Sequence, residues 1–264
     1  MFLIGERING MFKDVAKAIK EKDKQVIQEL ALKQVSCKAN ALDVNVGPSS
    51  DNPKAAMEWL VRTIQEVSDV RLSIDTTKQD VMELGLNLCK SKPIINSVNA
   101  NEEKMKALFS LAKKYNASIV GLTMDKAGIP KDSEGRMELA MKIAASCMEH
   151  GIDVSELYLD AVILPVNVAQ THAKEVLKAI RDSKMLSEPS PKTVLGLSNV
   201  SQGALNQYKG LINRTFLVMA ITNGLDAAIL DVTDKELVDS MITAELLMEK
   251  QLYCDSYLEA YRKK

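Results

Sequence analysis

A chain of 264 residues, 46% of them hydrophobic, can bury one large α/β core or two small ones. Its 34 basic and 35 acidic side chains nearly cancel and are dispersed, which argues against a nucleic-acid partner. Met1 runs straight into a strand-like segment and no run of 18 apolar residues follows, so neither a leader nor a membrane span is expected and the cytoplasm is the expected compartment.

Short apolar runs alternate with longer stretches of helical period along the whole chain. The first run is "FLIGERIN", followed by a helical stretch over 14–38. "ALDVNVG" precedes a helix over 53–67, announced by the cap signal Ser50-Asp51-Asn52-Pro53. "VRLSID" precedes 78–89, "PIINSV" precedes 102–115, "SIVGLTM" precedes 136–149 and "LYLDAV" precedes 174–180. "TVLGLSN" leads through the loop "NVSQGALNQYKG" to a helix over 214–223, and "AAILDV" leads through Thr233-Asp234 to a long final helix over 235–260, a candidate two-fold interface for a homodimer. Eight such beats in 264 residues give about 33 residues each, the size of one βα unit. The spacing predicts a single (β/α)8 TIM barrel occupying residues 1–264. A doubly wound sheet is the competing architecture, but "LIGERINGMF" has no G-x-G-x-x-G turn after the first strand. Met105, Met137, Met141 and Met148 fall at helical spacing and read as core.

Barrel strands point their C-terminal ends at one common mouth, so the strand ends can be read together. They carry Glu6 and Asn9, Asp43 and Asn45, Asp75, Asn96 and Ser97, Thr123 and Asp125, Asp160, Ser198 and Asn199, and Asp231. Any one of these has an ordinary explanation as a cap of the following helix. As a set they suit a flat nitrogen heterocycle, because a carboxylate accepts two parallel bonds from an N–H/NH2 edge while an amide donates and accepts together. No metal is expected: no histidine closes a strand, His150 ends a helix, His172 falls in the loop after the sixth strand, and there is no H-E-x-x-H. Cys37, Cys89, Cys147 and Cys254 stand far apart without C-x-x-C pairing and read as reduced thiols. Gly203 and Gly210 are too widely spaced for a phosphate cradle.

The ordered pieces "IGERIN", "LDVNVG", "LSIDTT", "IINSVN", "GLTMD" followed by "GIP", "LYLDAVILP" and "GLSNVSQG" resemble the pterin-binding barrel family. More narrowly they resemble its methyltetrahydrofolate:corrinoid/iron-sulfur protein methyltransferases of acetogenic one-carbon metabolism, relatives of the folate domain of cobalamin-dependent methionine synthase. The resemblance implies methyl transfer from N5 of methyltetrahydrofolate to cobalt(I) in a separate corrinoid/iron-sulfur protein. It places the pterin-holding acids on Asp75 and Asp160, which are also expected to act catalytically by feeding the eventual proton to N5, a strand-4 amide on Asn96 and the catalytic amide on Asn199, with Gly196, Ser198 and Gln202 at the other matched positions of the strand-7 motif. The strand-7 loop looks longer than the family's, and only Lys209 stands where a basic residue is usual.

A neutral amide suits that chemistry. The amine nitrogen leaves with growing negative charge, and an amide donor strengthens its bond to N5 as that charge develops without competing beforehand for a proton. The corrinoid has to come from the partner, because the residues two before His150 and His172 are Met148 and Gln170 and no D-x-H-x-x-G signature occurs. There is also no cysteine cluster for an iron–sulfur centre. Within the family the rival is a dihydropteroate synthase, which holds pyrophosphate with a strand-7 lysine and a strand-8 R-x-H pair where this chain has "GLSN" and "AAILDV". A glycosidase using Asp75 and Asp160 would want more aromatic platforms than 4% aromatic residues and the lone Trp59 supply. A folate-binding protein without activity would gain nothing from Asn199 aimed at the leaving nitrogen.

Overall fold

The computed structural model describes residues 1–48 and 50–253. Eight parallel strands close into a barrel in sequence order: β1 (Phe2–Asn9), β2 (Ala41–Asn45), β3 (Arg71–Asp75), β4 (Ile94–Asn99), β5 (Ser118–Leu122), β6 (Leu157–Asp160), β7 (Lys192–Gly196) and β8 (Ala227–Leu230), with β8 pairing back onto β1. The helices are α1 (Lys13–Glu21), α2 (Lys24–Ser36), α3 (Pro53–Gln65), α4 (Gln79–Leu88), α5 (Glu102–Lys114), α6 (Ser133–Glu149), α7 (Val166–Ala169), α8 (His172–Ser183), α9 (Asn206–Thr222) and α10 (Lys235–Leu247). The predicted TIM barrel is therefore the observed fold.

The two-residue alternation of the strands sorts the core into two shells. Ile4, Ala41, Ile94, Val120, Tyr158 and Val194 point inward and plug the lower half of the barrel. Leu3, Leu42, Leu72, Ile95, Ile119 and Leu195 point outward against the helices. Above the apolar plug the inward positions turn polar, beginning with Asp43 and Ser73, so the upper barrel is a polar cup.

Several element ends differ from the expected ones. The stretch 14–38 is two helices, because Lys22 takes a left-handed conformation (φ 57°) and the Asp23 carboxylate caps α2 by accepting from the Gln25 and Val26 N–H groups. Asn52 and Asp234 cap α3 and α10 as the sequence signals require. The ninth helix begins at Asn206 rather than at 214, so Lys209 sits on a helix and the strand-7 loop is short. His172 opens α8 instead of lying in a loop. The final helix ends at Leu247, short of 260; residues 254–264, with Cys254, lie outside the described residues. Met105 is buried and Met137 packs on the core, but Met141 and Met148 are half exposed, since they lie off the buried stripe of α6, which runs through Arg136, Ala140, Ile143, Ala144 and Cys147.

Cys37 and Cys89 are partly buried and Cys147 is buried, all three as free thiols. Burial pushes the Cys89 and Cys147 thiols up to about 12, which leaves them unreactive near neutrality. Among the described residues no helix is long and apolar enough to cross a membrane.

Candidate active site at the barrel mouth

Two irregularities in the ladder shape the mouth. Between Gly5 and Ile8 the register of β1 against β2 slips by one residue. Glu6 faces the cup in phase with Ile4, and the extra residue reverses the alternation after it, so that Ile8 packs outward on the helices. The freed Arg7 N–H is satisfied by the Gln34 side chain at 3.0 Å, and the Arg7 guanidinium turns out to Asp14 at 2.8 Å. The same slip occurs on β4 between Asn96 and Val98. Just above, the β1 and β2 loops touch backbone to backbone: a Cβ on Gly10 would lie 2.3 Å from the Val46 carbonyl oxygen, so only glycine fits.

Asp43, Asn45, Ser73, Asp75 and Asn96 form one connected network on β2, β3 and β4. The Asp43 carboxyl accepts from Ser73 Oγ at 2.7 Å and from Asn96 Nδ2 at 3.0 Å, and shares a hydrogen bond with Asp75. Asp75 accepts from Asn45 Nδ2 at 2.6 Å, and Asn45 Oδ1 accepts the Gly47 N–H at 2.7 Å. Burial, with the Asp75 charge added, holds the Asp43 carboxyl well above the usual carboxylate range despite the Asn96 and Ser73 hydrogen bonds. Burial also raises Asp75, against the pull of Asn45 and Asp43. Of the two, Asp43 is held further above the usual range, and the hydrogen bond between them runs from Asp43 to Asp75. The Asp75 oxygens left over from these bonds are acceptors open to the N–H groups of a ligand.

Asp160 closes β6 and is 7% exposed. Its two oxygens accept the Val162 N–H at 2.7 Å and the Gly196 N–H at 3.4 Å. Val162 adopts φ 55°, a strained choice for a β-branched residue, and the turn is held by Asp160 from one side and by Arg136 from the other. Arg136 is wholly buried and donates from Nε to the Ala161 carbonyl at 2.7 Å and from Nη1 to the Asp132 carbonyl at 3.0 Å. Its Nη2 faces His172 Nδ1 at 3.0 Å. Burial raises Asp160 to about 6, opposed by the two N–H bonds and by the Arg136 charge. Sequence reasoning missed Arg136; an arginine on the predicted helix face carried no signal that it would be buried.

Past β7 the chain enters a 3-10 turn, Leu197–Ser201, not a helix cap. Ser198 Oγ donates to Glu6 Oε1 at 2.7 Å, tying the β7 end to β1. The exposed Asn199 side chain lies against Gly196, where an added Cβ would stand 3.0 Å from its Nδ2, so a bulkier residue there would displace the amide. Among the described residues that amide has no hydrogen-bond partner. Gln202 is exposed at the end of the turn.

The mouth therefore assembles Asp75, Asn96, Asp160, Gly196, Ser198 and Asn199, with Gln202 on its rim. Other strand-end polar groups have local duties. Asn9 Oδ1 accepts the Met11 N–H, Asp125 Oδ1 the Ala127 N–H, and Asp231 Oδ1 the Thr233 N–H and hydroxyl, while Thr123 bonds the Asp160 carbonyl. For those the capping explanation is sufficient. His150 Nδ1 contacts the Ser146 carbonyl 2.8 Å away at the end of α6. A cavity of 450 Å³ lies between the ends of β3 to β5 and the helices α4 and α5, lined among others by Thr76, Gln79, Met82, Ser97, Lys104 and Leu108; Asp75 and Asn96 do not line it.

Comparison with known proteins places this barrel. A methylcorrinoid:tetrahydrofolate methyltransferase of Eubacterium limosum is 27% identical over 264 residues, covering 99% of this chain and 96% of that protein. The methionine synthase of Mycobacterium leprae is 29% identical over 240 residues, which is 87% of this chain but 20% of the longer enzyme. Among solved structures, a Yersinia pestis dihydropteroate synthase with a sulfonamide drug complex superposes with a TM-score of 0.72 at 16% identity, covering 95% of this chain and 94% of that one. A Xanthomonas albilineans dihydropteroate synthase in complex with 7,8-dihydropteroate does so with a TM-score of 0.65 at 15% identity, covering 94% and 92%. These structural likenesses speak for the fold. The family model described as pterin binding enzyme matches residues 8–231, from the end of β1 through β8 and short of the final helix, and the chain belongs to that family.

Proposed function

We propose that the protein is a methyltransferase that moves the N5 methyl group of methyltetrahydrofolate to the cobalt(I) of a corrinoid carried by a separate corrinoid/iron-sulfur protein. The observation that carries this reading is the pairing of a buried acid–amide cup with the unpartnered Asn199 amide, for which Gly196 leaves room. Asp75 and Asp160 accept the N–H groups of the pterin, Asn96, anchored to Asp43 through its Nδ2, offers its Oδ1 to the same ring, and Asn199 is left to donate to N5. Ser198 and Gln202 border the same ring. A donor that meets the leaving nitrogen mainly in the transition state raises the rate without tightening the ground state.

The name of the Eubacterium limosum relative describes transfer in the opposite sense, from methylcorrinoid to tetrahydrofolate. The same groups serve both directions, since the transition state is shared. Which direction runs is set by the partner's cobalt and the supply of each substrate. The dihydropteroate synthase neighbours suggest the other family chemistry, but the one lysine of β7, Lys192, sits at the opposite end of the strand against Tyr158, 3.5 Å from its hydroxyl. It cannot serve a pyrophosphate at the mouth.

The test is methyl transfer by the purified protein from methyltetrahydrofolate to free cob(I)alamin, followed by the loss of the cob(I)alamin absorbance. Transfer supports the reading; formation of dihydropteroate from a pterin pyrophosphate and p-aminobenzoate, with no methyl transfer, would replace it.

A further inference from the structure

Breaking the N5–methyl bond leaves its electron pair on N5, which then has to take up a proton. On the methyl-transfer reading above, on which this inference rests, that proton needs a source at the mouth. Asp43 already gives its hydrogen bond to Asp75 within the β2–β4 network, which leaves two buried carboxyls to hold one, Glu6 and Asp160, and their surroundings differ. Asp160 commits both oxygens to backbone N–H groups, which can only donate, so protonating it sacrifices a hydrogen bond. Glu6 instead meets the Ser198 hydroxyl at 2.7 Å, and a hydroxyl can turn from donor to acceptor. Glu6 can therefore gain and lose a proton without losing its contact.

Glu6 follows inward-facing Ile4 by two residues and so faces the cup, the β1 bulge reverses the phase only beyond it, and Ser198 immediately precedes Asn199 in the 3-10 turn. The charged groups bearing on Glu6 are Asp231 at the end of β8 and Arg7 on its own strand, which is drawn away to Asp14. Asp43 on β2 lies across from the bulge. Burial is the largest cause of a Glu6 pKa raised to about 7; the Ser198 bond opposes it, the Asp231 charge adds to it and Arg7 opposes it. An acid of that strength is half loaded near neutrality, where general acids work best.

We propose that Glu6 is the proton donor of the reaction, passing its proton through the Ser198 hydroxyl to N5 as the methyl group leaves. The methyl carbon takes the electron pair that cobalt(I) supplies, and the C–N pair stays on N5. N5 receives the Ser198 hydroxyl proton, Ser198 receives that of Glu6, and the resulting carboxylate is reprotonated from solvent through the open mouth. In the reverse reaction the Glu6 carboxylate collects the N5 proton by the same route.

Single-turnover transfer to cob(I)alamin across pH 5 to 9 tests this assignment, with folate affinity and a melting curve recorded on the same proteins. The wild-type rate is expected to be level in acid and to fall about tenfold per unit above the Glu6 pKa. Glu6→Gln, which keeps the shape and fold, is expected to lower the acid-side rate by about a hundredfold and to abolish that limb, with folate affinity little changed. Asp160→Asn is expected to weaken folate binding and to keep the limb. A Glu6→Gln protein with the wild-type rate and profile, or loss of the limb in Asp160→Asn alone, overturns the role of Glu6 while leaving methyl transfer intact. Wild-type protein that transfers no methyl group overturns the functional reading and this assignment with it.

Discussion

Across the barrel mouth, the β2–β4 arc and the β7 end are built on different plans. On the arc, Asp43, Asn45, Ser73, Asp75 and Asn96 sit on strands, are mostly buried, and satisfy one another through bonds of 2.6 to 3.0 Å. At the β7 end the groups sit on a 3-10 turn, Asn199 and Gln202 are exposed, and Ser198 is anchored across the barrel to Glu6. A rigid, pre-satisfied network holds a ligand in one pose at little entropic cost, whereas a group that acts only in the transition state gains from being left free until substrate arrives. The arc is suited to recognition and the turn to chemistry.

The largest expected effect breaks the comparison on the chemical side. Asn199→Ala should slow single-turnover methyl transfer by about a hundredfold or more, on the order of 3 kcal/mol, while folate affinity changes much less. A variant with near-normal transfer would remove Asn199 from the chemistry whatever its melting temperature, and no cap is lost, because its side chain caps no helix here. On the recognition side, Asp75→Ala and Asp160→Ala should each weaken methyltetrahydrofolate binding by about 1 to 3 kcal/mol, read by equilibrium titration, because pterin donors are left unpaired. Unchanged affinity in both would put the pterin elsewhere. Asn45→Ala sharpens the arc's role as a unit: it removes one donor to Asp75 without touching the ligand, and should cost about 1 kcal/mol of affinity with the bound transfer rate unaltered.

The smallest effect is on stability. Glu6, Asp43 and Asp160 all have folded-state pKa values raised above those of the unfolded chain, so the folded protein binds more protons and loses stability as pH rises from the ordinary carboxylate range through the raised values. The ligand-free protein should melt at a lower temperature at pH 8 than at pH 5.5, and Glu6→Gln should flatten that slope above pH 6. A melting temperature that rises over this interval would contradict the upward shift that burial gives these carboxyls.

Much of the molecule was legible beforehand. Each quoted apolar run became a strand, because parallel barrel strands are covered on both faces and read as short apolar runs whatever surrounds them. Caps such as Asn52 and Asp234 were legible for an equally local reason: a side-chain oxygen two or three residues from an orphan N–H needs no tertiary help. The break at Asp23 was missed although it uses the same chemistry, since an unbroken helical period on both sides hid it.

The strand-end acids and amides could be named from order along the chain, but order does not tell a cap from a member of the cup. Asn9, Asp125 and Asp231 turned to their own loops, while Asp43 and Asn45, equally ordinary in sequence, became the supports of Asp75 and Asn96. The difference lies in inward or outward phase, which one bulged residue in β1 or β4 reverses. Sequence by itself thus determined the strand order, the barrel and the inventory of polar groups, because periodicity and capping act over a few residues. Only closure of the barrel decided that Glu6 meets Ser198, 192 positions away, that Asp43 shares a proton with Asp75, and that Arg136 is buried behind Asp160, because burial and pairing depend on every strand and helix that surrounds them.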